Sequence, residues 1–190
     1  MRLRLTARIN KGAKPEAKPG AKPTAQERGE AYSSTEDWRK KYDHITHFRQ
    51  GLARVRLDYK YGYVNEKGEE VVPVKYDEIG HFYDGFATVR LGDMLTGKYG
   101  HVDKTGNEVV PVIYDFARPF SEGFAAVKLK RRWGFVNQWG EVVIPLKYDY
   151  VDKFFDGLAY VSLPYITGRF YINRWGEKVK PWRLYRRLAR

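Results

Sequence analysis

The stretch Arg131–Leu146, RRWGFVNQWGEVVIPL, decides the fold of this chain. It contains a strand that begins with Trp-Gly, a four-residue turn that closes on Gly140, and a return strand that ends at Pro145. An Asn at the start and a Gly at the end of four residues is typical of a type I turn that ends in a left-handed residue. The stretch therefore predicts a β-hairpin, and three related copies of it occur elsewhere in the chain.

The copies recur at a nearly constant interval. Each belongs to a unit that opens with a Tyr-Asp pair, and successive pairs are 34, 38 and 34 residues apart. Self-similarity at this period is typical of solenoids, propellers and stacked arrays. The pairs are Tyr42-Asp43, Tyr76-Asp77, Tyr114-Asp115 and Tyr148-Asp149.

Each unit reads as a short antiparallel meander. A glycine eight residues after the Asp predicts a turn with positive φ, and alternating apolar residues such as Ala125, Val127 and Leu129 predict a half-buried strand after it. The second strand carries the Trp-Gly or its counterpart, and that glycine leaves room for a close neighbour. The third strand reaches a proline that we expect to end the ladder. We therefore predict about three strands in each unit. The glycines are Gly51, Gly85, Gly123 and Gly157, and the prolines are Pro73, Pro111, Pro145 and Pro181.

The predicted fold is all-β, an array of four antiparallel meander repeats that forms either an open twisted stack or a propeller-like ring. Residues 1–31 are a basic arm rich in Lys and Pro, and 183–190 are a short basic tail. Residues 32–41 are a linker or a short helix, because Ser33–Asp37 resembles a capping box that opens a helix over Thr35–Lys41 with Trp38 packed on the first repeat. The repeats span about 42–74, 75–112, 113–146 and 147–182.

These units resemble the WG-repeat family, also called KWG repeats, which is found widely in bacteria. The shared patterns are W/Y-G-aromatic-V-N/D-x-x-G-E-x-V-V-P and Y-D-x-I-x-x-F-x-D/E-G-x-A-x-V, and they extend over Tyr42–Trp182. The resemblance implies a module that acts in binding rather than catalysis, and it supplies no catalytic residues. The last unit has Arg169-Phe170 in place of Trp-Gly, which predicts an atypical terminal cap.

Charge and composition restrict the function further. The formal net charge is +12, and residues 1–31 and 177–190 each carry +5, so the 145 residues between them carry only +2. The absence of cysteine excludes disulfides, thiolate metal sites and cysteine nucleophiles. No apolar run approaches the roughly 18 residues of a spanning helix. We expect a cytoplasmic protein, with an Arg-rich organellar transit peptide at Met1–Asn10 as the alternative.

The basic ends give the main functional prediction. Three Ala-Lys-Pro-x tetrapeptides in Lys11–Thr24 favour an extended polyproline-like arm, which can follow a phosphate backbone. We therefore expect RNA binding within a ribonucleoprotein such as a ribosome. The alternatives are a protein-binding scaffold or accessory subunit, which could lie at a membrane surface, and an enzyme whose site is assembled across repeats. The predicted anion-binding residues are Arg2, Arg4, Arg8, Lys11, Lys14, Lys18, Lys22, Arg183, Arg186, Arg187 and Arg190.

The remaining candidate residues favour structural roles. The aspartates of the Tyr-Asp pairs recur in every unit, which indicates turn capping rather than catalysis. His44 and His47 are spaced as two metal ligands could be, but no further ligands are indicated. We expect no catalytic residue, cofactor, metal or small-molecule substrate. Trp139 and Trp175 are the exceptions, because the other units place Lys67 and Thr105 at this turn position, and both are predicted partner contacts.

Overall fold

A computed structural model describes residues 38–165 and 168–179. The predictions for the arm 1–31, the tail 183–190, the residues Ser33–Asp37 and Pro181 lie outside this range. The described chain begins with a short 3-10 helix, η1, at Trp38–Lys41. All remaining regular elements in the described ranges are β-strands, as predicted.

Four antiparallel sheets follow one another along the chain, and strands within each sheet pair in sequence order. The first sheet contains β1 (His44–Ile45), β2 (Leu52–Leu57), β3 (Lys60–Asn65) and β4 (Glu70–Tyr76). The second contains β5 (Glu78–Tyr83), β6 (Phe86–Leu91), β7 (Lys98–Asp103) and β8 (Glu108–Tyr114). The third contains β9 (Phe116–Ala117), β10 (Phe124–Leu129), β11 (Arg132–Asn137) and β12 (Val142–Tyr148). The fourth contains β13 (Tyr150–Val151), β14 (Leu158–Ser162) and β15 (Phe170–Asn173).

The array of four meanders is confirmed, but three of the sheets have four strands where about three were predicted. The extra strand is formed by the residues after each Tyr-Asp pair, which hydrogen-bond to the strand that follows the glycine turn. The turn itself fits this pairing because both of its residues have positive φ, as in Asp84 at 50° and Gly85 at 88°. That conformation matches a type I′ turn, whose twist suits a two-residue hairpin.

The hydrophobic core lies between the sheets. One cluster joins Tyr63 and Val72 of the first sheet to Ile79 and Ala87 of the second. Two further clusters join the second sheet to the third and the third to the fourth. In the described residues, no core cluster joins the first sheet to the fourth. The described units therefore pack in series, and each sheet is stabilised mainly by its neighbours.

Trp38 occupies the position that a preceding unit would fill. It is buried with Tyr42, Val55 and Val64 in a cluster that covers the outer face of the first sheet. A Cβ added to Gly68, in the β3–β4 turn, would lie 2.3 Å from Cγ of Trp38. The prediction that Trp38 packs on the first repeat is confirmed. The indole therefore acts as an N-terminal cap of the array.

The prolines Pro73, Pro111 and Pro145 do not end their strands, and that prediction is wrong. Each lies inside the last strand of its sheet, which continues to the next Tyr-Asp pair. Tyr63 pairs with Val72 but Tyr61 pairs with Tyr76, so two steps along β3 face four steps along β4. Proline is tolerated because residues in such a bulge do not donate to the ladder.

The bulge explains the glycine of the Trp-Gly pair. A Cβ on Gly134 would lie 2.5 Å from the carbonyl oxygen of Ile144, and Gly62 and Gly100 face the same contact in their own sheets. In the fourth unit Phe170 stands at this position. There, within the described residues, a single isolated bridge between Ile172 and Lys178 replaces the third strand. The glycine is thus needed only where a bulged strand crosses over it.

Neighbouring units are also joined through the aromatic residue after that glycine. The Tyr63 hydroxyl donates to the Gly80 carbonyl of the next unit at 2.8 Å, and His101 Nε2 contacts the equivalent Arg118 carbonyl at 2.9 Å. His101 is 0% exposed, and its Nδ1 has no hydrogen-bond partner. Burial lowers the pKa of His101 to about 4, although the bond to Arg118 opposes the shift. His101 is therefore neutral near pH 7, with Nε2 as its donor.

We expect Gly134→Ala to destabilise the fold by about 3 kcal/mol, because the new Cβ would collide with backbone rather than with a movable side chain. The free energy of unfolding from urea titrations measures the change. Gly80→Ala is the matched control, since its Cβ would have no neighbour closer than 3.6 Å. Equal losses in the two variants would contradict the role given to the bulge.

His101→Phe should remove a pH dependence from stability. The histidine binds a proton below about pH 6.5 when unfolded but only near pH 4 when folded. Its neutral form therefore contributes stability that is complete above pH 6.5 and falls by about 3 kcal/mol as the pH drops to 4. Above pH 7 the variant should lose only about 1 kcal/mol, for the missing hydrogen bond.

The test compares the free energies of unfolding of the two proteins between pH 4 and 8. The aspartates and glutamates are common to both proteins, so their titration cancels in the difference. A constant difference across this range would contradict the assignment to His101.

Candidate binding surface

The turns of the four units form one edge of the array, which we call the turn rim. It contains the two-residue turns before β2, β6, β10 and β14 and the turns that follow β3, β7, β11 and β15. Both kinds of turn lie at the same strand ends because Leu52 pairs with Asn65, and equivalent residues pair in the other sheets. The opposite edge carries the β2–β3 type hairpins and the Tyr-Asp connections.

The turn after β11 is held by its own side chains. Asn137 Oδ1 accepts the backbone N–H groups of Trp139 and Glu141, both at 3.0 Å, and Asn137 Nδ2 donates to Glu141 Oε2 at 2.7 Å. The first and fourth units repeat this Asn and Glu pair. In the second unit the acid and amide exchange places, as Asp103 and Asn107. The turn geometry is therefore fixed independently of the residue at the Trp139 position.

Trp139 and Trp175 both point outward from this rim. Their side chains are 72% and 79% exposed. Together with Phe124 and Val143 they line a shallow groove of about 560 Å³ between the third and fourth units, which we call the tryptophan groove. The exposure of both tryptophans agrees with their predicted availability, and their contact with a partner stays a prediction.

The tryptophan groove has no net charge from its ion pair. Arg174 Nη2 lies 3.0 Å from Glu122 Oε2, and the same oxygen accepts the backbone N–H of Gly157 at 2.9 Å. Burial by itself raises the pKa of Glu122, but the hydrogen bonds from Arg174 and from the backbone outweigh it and hold the pKa below the usual value. The carboxylate therefore stays ionised and compensates the guanidinium.

The Tyr-Asp aspartates have the capping role expected of them and also join the units. Asp115 Oδ2 accepts the Lys130 N–H at 2.8 Å within its own unit, and its Oδ1 lies 2.5 Å from Lys98 Nζ of the preceding unit. Asp77 and Lys60 repeat the ion pair, and Asp149 and Arg132 form its third copy. The Lys98 hydrogen bond is the main reason that the pKa of Asp115 is lowered. These groups are already engaged in stabilising the array.

The ion pair between units was missed from the sequence, although a signal existed. A basic residue stands directly before the aromatic-Gly pair in three units, always 17 residues ahead of the aspartate of the next Tyr-Asp pair.

The predicted anion-binding residues are a different case. All of them, from Arg2 to Lys22 and from Arg183 to Arg190, lie outside the described residues. Within 38–165 and 168–179, no group of three or more His, Asp or Glu side chains is placed to hold a metal ion.

Serial sheets, cores shared between neighbouring units and a rim of variable turns define a β-repeat protein. The family model described as the WG containing repeat matches residues 40–61, 61–94, 99–131 and 133–163, which together exceed half of the chain. The chain belongs to this family. A search of curated proteins found no match to it. In the part of the chain that the structure describes, no helix is long and apolar enough to cross a membrane.

Proposed function

We propose that this chain is a non-enzymatic binding protein whose basic ends attach it to RNA in a ribonucleoprotein such as a ribosome. The observation that carries the proposal is the placement of charge, since ten of the twelve net positive charges fall in residues 1–31 and 177–190. The low net charge of the repeat body supports the proposal. Its cations Lys60, Lys98 and Arg132 are paired with carboxylates between units.

The mechanism is electrostatic attachment. Lysines and arginines on an extended chain neutralise successive phosphates and release their counterions, which gives affinity without reading sequence. The body adds a rigid unit of fixed shape, because its sheets are joined by shared cores and paired charges. On this proposal the ends anchor the protein, and the body occupies a defined place in the assembly.

Deletion of residues 1–31 should weaken RNA binding at least 100-fold near 0.15 M salt. The arm carries seven of the predicted phosphate contacts, each worth about 0.7 in the slope of log K against log salt for single strands, so the slope should become shallower by about 5. Fluorescence anisotropy with a labelled RNA, measured over a series of salt concentrations, provides both quantities.

A second variant separates charge from length. It keeps the arm but replaces those seven cations with glutamine, and it should bind as weakly as the truncated chain. Binding by the truncated protein that is both retained and insensitive to salt would refute the proposal.

A second candidate function is that of a protein-binding scaffold, and the tryptophan groove favours it. The groove offers two exposed indoles and a compensated ion pair, which suits an uncharged apolar protein surface better than a polyphosphate. The occupant on this proposal is a partner subunit that inserts apolar side chains between Trp139 and Trp175.

The repeats themselves supply the variants for a test. Trp139→Thr and Trp175→Lys introduce the residues of the second and first units, so the free energy of unfolding should change by no more than about 0.5 kcal/mol. Affinity for a co-purified subunit should fall at least tenfold, as measured by calorimetry. Tyr59→Arg on the opposite edge is the control, since Arg131 fills the equivalent position. Unchanged affinity in the tryptophan variants would contradict this function.

A further inference from the structure

The interface between the first and second units contains a second cavity at the turn rim. It has a volume of about 350 Å³ and an apolar floor formed by Leu52, Tyr63 and Phe82. Its place is equivalent to that of the tryptophan groove, because each lies between the two-residue turn of one unit and the long turn of the next. We call it the first-interface cavity, and its chemistry differs from that of the tryptophan groove.

The difference begins with one pair of residues. In the tryptophan groove the cation of the long turn, Arg174, meets the carboxylate of Glu122. In the first-interface cavity the equivalent cation is Lys104, whose Nζ donates to the amide oxygen of Gln50 at 2.7 Å. An amide accepts the hydrogen bond but carries no charge, so the positive charge of Lys104 is left uncompensated there. The equivalent positions in the other units hold acids, namely Asp84, Glu122 and Asp156.

Further donors converge on the same cavity. Arg49, His47 and His81 all line it, and none of these side chains has a hydrogen bond or ion pair within the described residues. Thr46 Oγ1 accepts the Arg54 N–H at 3.0 Å, which leaves its hydroxyl hydrogen to donate. The cavity therefore gathers two permanent cations, two imidazoles and a hydroxyl group.

The charged residues that line this cavity are all basic. Among the residues that the structure describes, none of those lining the first-interface cavity is Asp or Glu. Asp84 follows the lining residue Tyr83 in sequence, but its Oδ2 accepts the Gly123 N–H at 3.3 Å in the next interface. The local charge is therefore positive, whereas that of the tryptophan groove is balanced.

We propose that the first-interface cavity binds a phosphate group. A phosphate oxygen accepts charge-assisted hydrogen bonds from guanidinium and ammonium groups, which are the strongest bonds that these side chains form. The volume also accommodates an organic group attached to the phosphate, and the floor provides an apolar contact for it. The phosphate belongs either to a small phosphorylated molecule or to a nucleic-acid backbone. This site does not depend on RNA binding by the ends of the chain.

The test is an NMR titration of the full chain with inorganic phosphate at constant ionic strength. Amide signals of Leu52, Phe82 and Lys104 should shift on addition of phosphate. Gln50→Glu introduces the residue that the third unit has at this position. The new carboxylate should pair with Lys104, so the affinity for phosphate, as determined from these amide shifts, should fall at least tenfold. Lys104→Gln should do the same. Lys67→Gln removes an equal charge from an exposed turn outside the cavity and should leave the affinity unchanged.

Two results would overturn the proposal. One is the absence of shifts at these amides, and the other is an equal affinity in all four proteins. Thermal unfolding confirms that each variant is folded, and the compensated pair in Gln50→Glu should not lower stability.

Two further ligands identify the source of the phosphate. A nucleoside monophosphate that binds at least tenfold more tightly than inorganic phosphate indicates a small molecule, while a short RNA with that advantage indicates a backbone. In both cases Gln50→Glu should abolish the tighter binding relative to inorganic phosphate. If the tighter binding persists in that variant, the result contradicts the proposed site. Because only cavity residues change in these experiments, their outcome is independent of the deletion of residues 1–31.

Discussion

None of the four sheets in the described part of the chain can bury its apolar residues alone, and the rest of the structure depends on that constraint. Each sheet has only three or four short strands, and both faces of its central strands carry apolar side chains. A single repeat unit cannot bury its hydrophobic face by itself, and stacked neighbours bury a continuous core. The shared clusters between successive sheets satisfy the constraint, and the contacts that join the units support those clusters. Such contacts include the paired Lys98 and Asp115 and the Tyr63 hydroxyl bonded to Gly80.

The two ends of the described array meet this constraint differently. At the first unit, Trp38 covers the sheet face on which no other described sheet packs. At the fourth unit, the strand that would bulge over the second strand is reduced to one bridge, and Phe170 packs where the other units have glycine. Lys178 Nζ lies 4.7 Å from the Phe170 ring, which adds a cation–π contact. Terminal units in repeat proteins commonly differ from internal ones for this reason.

Much of the repeat body could be predicted because its determinants are local. Alternation fixes the faces of β2, β6, β10 and β14, and the spacing from Asn or Asp to Gly fixes the long turns. The prolines misled the prediction, because a sequence shows that proline cannot donate to a ladder but not whether the strand ends or bulges there. Strand β4 continues past Pro73 as a bulged strand because Gly62, eleven residues earlier in β3, leaves room for its backbone.

The candidate sites were less accessible from sequence. The sequence singled out Trp139 and Trp175 because the other units have Lys67 and Thr105 at this turn position, but their exposure and the groove that they line are visible only when two units lie side by side. The charge of the first-interface cavity depends on Gln50 meeting Lys104 across 54 residues, and only the folded array shows that contact. The basic ends are evident from composition, but they lie outside the described residues.

Main chain lies directly against main chain where the turns of the second and third units meet the preceding unit. A Cβ on Gly106 would lie 2.1 Å from the Val71 carbonyl oxygen of the preceding unit, and one on Gly140 would lie 2.2 Å from that of Val109. The tips of these two turns thus rest directly on neighbouring backbone, and the side chain just before each glycine does not make this contact. The long turns therefore share one backbone geometry but present different side chains. The four positions before the turn glycines hold Lys67, Thr105, Trp139 and Trp175, while the Asn or Asp that opens each turn keeps the same hydrogen bonds to the backbone.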